Sequence, residues 1–219
     1  MIKNIIFDFD GTLVDTAPVI LATMFATFKE LDLPAPSREE CKSTIGLRLH
    51  EIPSKLFPNR AGLGEIYTKT YQRLFKTYNT PGAIIAFEGV PETLTELKDS
   101  GYNLAIASSR HRFSLEEIVN SLKMSTLFDM IIGGDNVKNG KPSPEPVLTI
   151  SNLMGWQANE TLVVGDAGVD ILMGKSAGCK TTGVTYGNGT IYELQNAGAD
   201  YIICSFAKIQ YFGYFLRVC

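Results

Sequence analysis

The chain has 219 residues, 45% of them hydrophobic, enough to bury a core in one large domain or in a core plus a modest second unit. A net charge of −3, with Lys and Arg dispersed, excludes a nucleic-acid footprint but leaves room for a small phosphate ester. Four scattered cysteines and two histidines argue against a zinc centre or a disulfide framework, and read as thiols in a reducing compartment.

The N-terminal apolar run is too short and too acidic for a signal peptide. No stretch approaches the ~18 apolar residues of a membrane span. A cytoplasmic protein with no membrane or nucleic-acid partner is expected.

In chain order, the near-continuous apolar run Asn4–Phe9 reads as a strand covered on both faces. It ends in Asp8-Phe9-Asp10-Gly11-Thr12-Leu13-Val14-Asp15. From Thr16 to about Tyr78 no strand is expected, only helical stripes. Val19, Ile20, Thr23, Met24, Ala26, Phe28 and Leu31 mark the first. Ile66, Tyr67, Tyr71, Leu74 and Phe75 mark the last. Asn79-Thr80-Pro81-Gly82 reads as a return linker.

Thereafter strands and helices alternate. Val90, Leu94 and Leu97 form a helical stripe that Gly101 stops. Strand Asn103–Ser108 follows, then the stripe Leu115, Ile118, Val119 and Leu122, then strand Met130–Gly133. Ser143-Pro144 reads as a helix start. Thr161–Gly165, Thr181–Val184 and Tyr201–Cys204 complete the strands, and the C-terminal IQYFGYFLRV is expected to pack on the core. The expected fold is an α/β doubly wound parallel sheet with a small helical cap inserted after the first strand. Residues 1–15 and 82–219 would form the core domain and 16–81 the cap, over the sheet edge where open α/β sheets bind ligands.

Two carboxylates two residues apart, Asp8 and Asp10, at the mouth of a buried strand repel each other and lose hydration, which is costly without a cation or a task. Gly11 allows close backbone approach and Thr12 adds a hydroxyl. An EF-hand reading fails, because Leu13 falls where the turn glycine belongs and Val19 where the bidentate glutamate belongs. Ser108-Ser109 ends a later strand. Lys141 lies between Gly140 and Pro142, which should hold it extended; alone it would read as a solvated lysine. Gly165-Asp166-Ala167-Gly168-Val169-Asp170 supplies a second acidic pair. Acidic pairs, a hydroxyl and a lysine at strand ends suit phosphoryl transfer.

DxDGTLxD, a strand-end Ser, Lys-Pro and GDxxxD, in that order, resemble the haloacid dehalogenase superfamily, in the branch with a helical cap, over essentially the whole chain. The resemblance implies a phosphatase of small phosphorylated metabolites, phosphoglycolate phosphatase-like, in which Asp8 attacks phosphorus to give an aspartyl-phosphate. It implies that Asp10 protonates the leaving oxygen and later activates water. It also implies Mg2+ on the Asp8 carboxylate, the Asp10 carbonyl and Asp166, with Asp170 as ligand or partner. Thr12, Ser108 and Lys141 would hold the phosphoryl oxygens.

Ser109 and Ala167 depart from residues common in the family, and touch no catalytic role. Asp10 argues against dehalogenase or phosphonate chemistry. Gly11, Ser109, Arg48 (in Ile45–Glu51) and Arg110 are candidate substrate-binding residues, with His50, Glu51 and His111 beside the arginines. A β-phosphoglucomutase-type phosphomutase and an inorganic pyrophosphatase share these motifs, and a non-catalytic binding module is the alternative of another class. Monomer and weak dimer both remain open.

Overall fold

The structure, a computed structural model, describes residues 1–211. The chain opens with β1 (Asn4–Phe7) and β2 (Val14–Asp15), then runs through α1 (Ala17–Glu30), α2 (Arg38–Lys42), α3 (Ile52–Leu56) and α4 (Gly64–Tyr78). It continues through β3 (Ile85–Ala86), α5 (Val90–Asp99), β4 (Asn103–Ala107), α6 (Arg112–Ser121), β5 (Met130–Ile132) and α7 (Glu145–Met154). It closes with β6 (Thr161–Gly165), α8 (Gly168–Ser176), β7 (Lys180–Val184), α9 (Ile191–Asn196) and β8 (Tyr201–Ile203).

Six strands form one sheet in the order β5-β4-β1-β6-β7-β8. Every pairing is parallel, with Ile5 opposite both Leu104 and Leu162. Strand alternation divides the core. Ile5, Phe7, Leu104, Ile106, Leu162 and Val164 pack on one face with Val90, Leu94, Leu115 and Ile118. Ile6, Ala105, Ala107 and Val163 pack on the other with Val147, Ile150 and Met173. Both faces are therefore covered, which is why the strands are apolar throughout. Among the described residues no helix is long and apolar enough to cross a membrane.

β1 has β4 on one side and β6 on the other, so the winding reverses at β1 and opens a crevice beyond its carboxyl end. α1–α4 lie between β2 and β3, which pair antiparallel (Val14 with Ala86, Asp15 with Ile85) and bring the two ends of this helical segment together. This pair was not expected, because two residues per strand show no periodicity. α4 buries Tyr67, Thr70, Tyr71 and Phe75 at helical spacing, whereas Ile66, expected in that stripe, is exposed. Phe28 of α1 stacks on Tyr67 of α4 and ties the two helices, while Tyr71 stacks on Phe75 within α4.

α5 ends as expected: Gly101 has φ +84°, and the N–H groups of Gly101 and Tyr102 donate to the carbonyls of Lys98 and Leu97. α7 starts at Glu145, later than expected, though the Ser143 hydroxyl still accepts from the Glu145 N–H at 3.3 Å. Cys41 and Cys179 are buried thiols. Of the C-terminal segment expected to pack on the core, Ile209 is buried; residues 212–219, with Cys219, lie outside the described residues.

Candidate active site

β1, β4 and β6 deliver their motifs to one sheet edge because they are adjacent and parallel. The Asp8 N–H donates to the Val164 carbonyl at 2.8 Å and the Ser108 N–H to the Ile132 carbonyl at 3.0 Å, extending the ladder into the motifs. Asp8, Asp10, Thr12, Ser108, Lys141, Asp166 and Asp170 are all buried.

Lys141 is therefore no surface lysine. Its ammonium contacts Asp8 Oδ1 and lies 2.6 Å from Asp170 Oδ1. The Lys141–Pro142 peptide is cis. Burial alone would lower the Lys141 pKa, but Asp170 and Asp8 outweigh it and hold the ammonium protonated. Glu145, in the first turn of α7, fixes the preceding loop by accepting from the N–H groups of Lys138 and Asn139 at 2.7 and 2.9 Å. Thr12 Oγ1 donates to Asp8 Oδ2 at 3.2 Å.

Asp166 Oδ2 accepts from the Asn188 N–H at 2.6 Å. Gly11, at φ +94°, lies against Asp166: a Cβ there would stand 2.1 Å from Asp166 Oδ2. Asp170 Oδ2 accepts from the Ala167 N–H at 3.1 Å, so Asp170 both caps α8 and faces Lys141.

Asp8, Asp166 and Asp170 each bring a carboxylate oxygen within 4.8 Å of the others. Burial, opposed by Lys141 and reinforced by Asp170, pushes the Asp8 carboxyl up to about 7. Burial and the charges of Asp8 and Asp170 raise Asp166 as well. Three carboxylates thus share one ammonium, and the donor set is all oxygen. A hard divalent cation such as Mg2+ fits both the charge deficit and the donors. The Asp10 carboxylate is outside this cluster.

Arg110 instead takes Asp10, with Nη2 at 2.6 Å from Oδ1 and Nε at 3.0 Å from Oδ2. Arg110 also donates to Ser114 Oγ at 3.2 Å and lies 5.0 Å over the Phe75 ring. A cavity of about 600 Å³ opens here; Asp8, Asp10, Ser108, Ser109, Arg110 and His111 are among its lining residues.

Arg48 does not reach the cavity. Its guanidinium donates to the carbonyls of Val137 and Lys138 at 2.9 and 2.8 Å, in the loop ahead of Lys141. The Arg48 guanidinium, expected at the substrate, is thus bonded to backbone and stands apart from the residues that line the cavity. His50 and Glu51 also lie outside the cavity lining. Sequence reasoning missed Asn188 on Asp166, Tyr186, whose hydroxyl donates to the Thr12 carbonyl at 2.9 Å, and Phe75 under Arg110. The signal for Asn188 was Gly187-Asn188-Gly189, a turn just past β7 at the same sheet edge.

The chain resembles known proteins along most of its length. It is 34% identical to a phosphoglycolate phosphatase from Aquifex aeolicus, over 84% of this chain and 85% of that one. It is 32% identical to the pyrophosphatase PpaX from Halalkalibacterium halodurans, over 93% of each. The crystal structure of a haloacid dehalogenase-like hydrolase from Bacteroides fragilis superposes with a TM-score of 0.90 at 30% identity, over 95% of this chain and 99% of that one. Residues 5–184 match the family model of the haloacid dehalogenase-like hydrolases. With the sheet order, the strand-end motifs and this match in agreement, the chain belongs to the haloacid dehalogenase-like hydrolase family.

Proposed function

We propose that the chain is a magnesium-dependent phosphatase that hydrolyses small phosphate monoesters through an aspartyl-phosphate on Asp8. Asp8 Oδ attacks phosphorus, the P–O bond to the ester oxygen breaks, and Asp10 donates its proton to the departing alkoxide. Water then attacks the same phosphorus, Asp10 takes the proton of that water, and Asp8 is released with inorganic phosphate. Ser108, Thr12 and Lys141 bind phosphoryl oxygens and Lys141 keeps Asp8 in place. Asp8, Asp166 and the Asp10 carbonyl, with Asp170 beside them, would hold Mg2+, which when bound shields the charge on the phosphoryl oxygens. Residues 16–81 would act as a cap that excludes water, and Ser109 and Arg110 would line the substrate side.

The observation that carries this reading is the contrast between the two carboxylates of one motif. Asp8 meets an ammonium and a hydroxyl, and Asp10 meets a guanidinium, in one buried site. Different surroundings for paired carboxylates are how one site runs nucleophilic and acid-base steps. The relatives named as phosphatases support the same reaction class.

The test is phosphate release from a panel of esters, sugar phosphates and pyrophosphate, with magnesium and with chelator. Magnesium-dependent release that Asp8→Asn abolishes is expected. Isomerised sugar phosphate without free phosphate would instead establish a phosphomutase.

A further inference from the structure

The cavity beside Asp8 holds more than a phosphoryl group. Its volume of about 600 Å³ lies within the range of sites for drug-sized ligands. Away from the motifs the larger part of its wall is apolar: Ile20 and Met24 of α1, Leu47 and Leu49 of the loop between α2 and α3, and Tyr71 and Phe75 of α4, with polar side chains such as Gln72 and Glu117 at exposed positions. Phe113, 64% exposed, adds an aromatic ring to the lining.

The loop owes this character to Arg48. Its guanidinium is drawn away to Val137 and Lys138, while its neighbours on either side, Leu47 and Leu49, line the cavity.

Cations that could hold a second anionic group are already engaged or lie in water. Arg110 is closed on Asp10, Arg73 is exposed and paired with Glu30, His111 is exposed beside Asp135, and Lys76 is exposed. Among the described residues, no buried cation of the cavity is left for a carboxylate or a second phosphate. Bringing such a group against Leu47, Leu49 and Met24 would strip its water without replacing it.

We infer that this site selects phosphate monoesters of a bulky apolar alcohol or phenol, with the phosphoryl group at Asp8 and the apolar leaving group against Met24, Leu47, Leu49 and Phe75. The inference rests on the phosphatase reading and deepens it, because it separates this chain in substrate from relatives named for phosphoglycolate and pyrophosphate.

The test is kcat/KM of the magnesium-loaded chain for ethyl, butyl and hexyl phosphate, beside phosphoglycolate, pyrophosphate and p-nitrophenyl phosphate. Leaving-group basicity is nearly constant along the alkyl series, so a rise reports burial of the chain. A gain of about fourfold per added methylene is expected. Phosphoglycolate and pyrophosphate should run at least tenfold below hexyl phosphate.

Leu47→Ser and Leu49→Ser, both at half-buried positions, should flatten the series by slowing hexyl and butyl phosphate, while ethyl phosphate, with little chain to bury there, is still hydrolysed. A flat wild-type series, a slope untouched by both variants, or preferred turnover of phosphoglycolate or pyrophosphate would overturn the inference and leave the phosphatase reading standing. Absence of magnesium-dependent hydrolysis of every compound, p-nitrophenyl phosphate included, would overturn both.

Discussion

Arg110 grips Asp10 with two prongs, Nη2 on Oδ1 at 2.6 Å and Nε on Oδ2 at 3.0 Å, across 100 positions of sequence. Only a planar guanidinium makes this contact, and Phe75 beneath it fixes the plane. The pair sets where the Asp10 carboxyl points. If Asp10 moves the proton, Arg110 is its positioning residue.

Arg110→Met should therefore lower kcat for an alkyl phosphate by roughly tenfold to a hundredfold, within the range that general acid-base catalysis contributes. Slowing should be much smaller for p-nitrophenyl phosphate, whose leaving group needs no proton. Arg110→Lys should restore little, since a single ammonium cannot span both oxygens. Steady-state kinetics on the two esters decides it: equal slowing of both would show that Arg110 acts on the phosphoryl group and not through Asp10.

Asp8→Asn should abolish turnover, by about 10³ or more if attack by this carboxylate carries the reaction. The fold should survive, because removing one of three crowded carboxylates relieves repulsion with Asp166 and Asp170. Activity together with a thermal melt checks both halves. Turnover above a tenth of wild type would remove Asp8 from its role.

Metal and pH should be linked. Burial raises the Asp8 carboxyl from 3.8 to about 7, and Asp166 moves the same way. Between those values the folded, metal-free chain keeps a proton that the unfolded chain has released. Its stability therefore declines as pH rises through that window and is lowest above it. A divalent cation held by these carboxylates relieves the repulsion only once they are ionised. The rise in Tm on adding magnesium should be larger near pH 8 than near pH 5. A magnesium shift independent of pH, measured by thermal melts at both values, would count against metal binding at this cluster.

Arg48→Ala should act on stability and not on the phosphoryl site. It removes two charge-assisted bonds to Val137 and Lys138, worth roughly 1.5–3 kcal/mol each at most. A fall in Tm is expected, with KM for a small ester such as ethyl phosphate changed less than threefold. A large rise in that KM at unchanged Tm would return Arg48 to the substrate.

Gly11→Ala places a methyl 2.1 Å from Asp166 Oδ2 and 2.4 Å from Asn188 Nδ2, at a φ of +94°. Backbone strain and overpacking at one position should cost about 1–3 kcal/mol and displace Asp166. A chemical denaturation curve and a magnesium titration should both move.

The amino-acid sequence by itself determined the sheet and its site edge. Asn103–Ala107, Thr161–Gly165 and their fellows are runs that only a sheet covered on both faces can bury, so strand identity is written locally. The motifs follow from the same logic, because Asp8, Ser108 and Asp166 each stand just beyond a strand of one parallel sheet, and parallel neighbours bring their ends together. The tertiary structure alone decided what the remaining charged side chains do. Arg48 and Arg110 looked alike in sequence, each an arginine in a loop. The fold sends one to backbone carbonyls and the other to Asp10, contacts that span 89 and 100 residues. Asn188 meets Asp166 for a similar reason, and β2 pairs with β3 through registers too short to leave a pattern. Local periodicity encodes which residues are buried, whereas the partner of a long polar side chain is set by which elements the packed core brings near it.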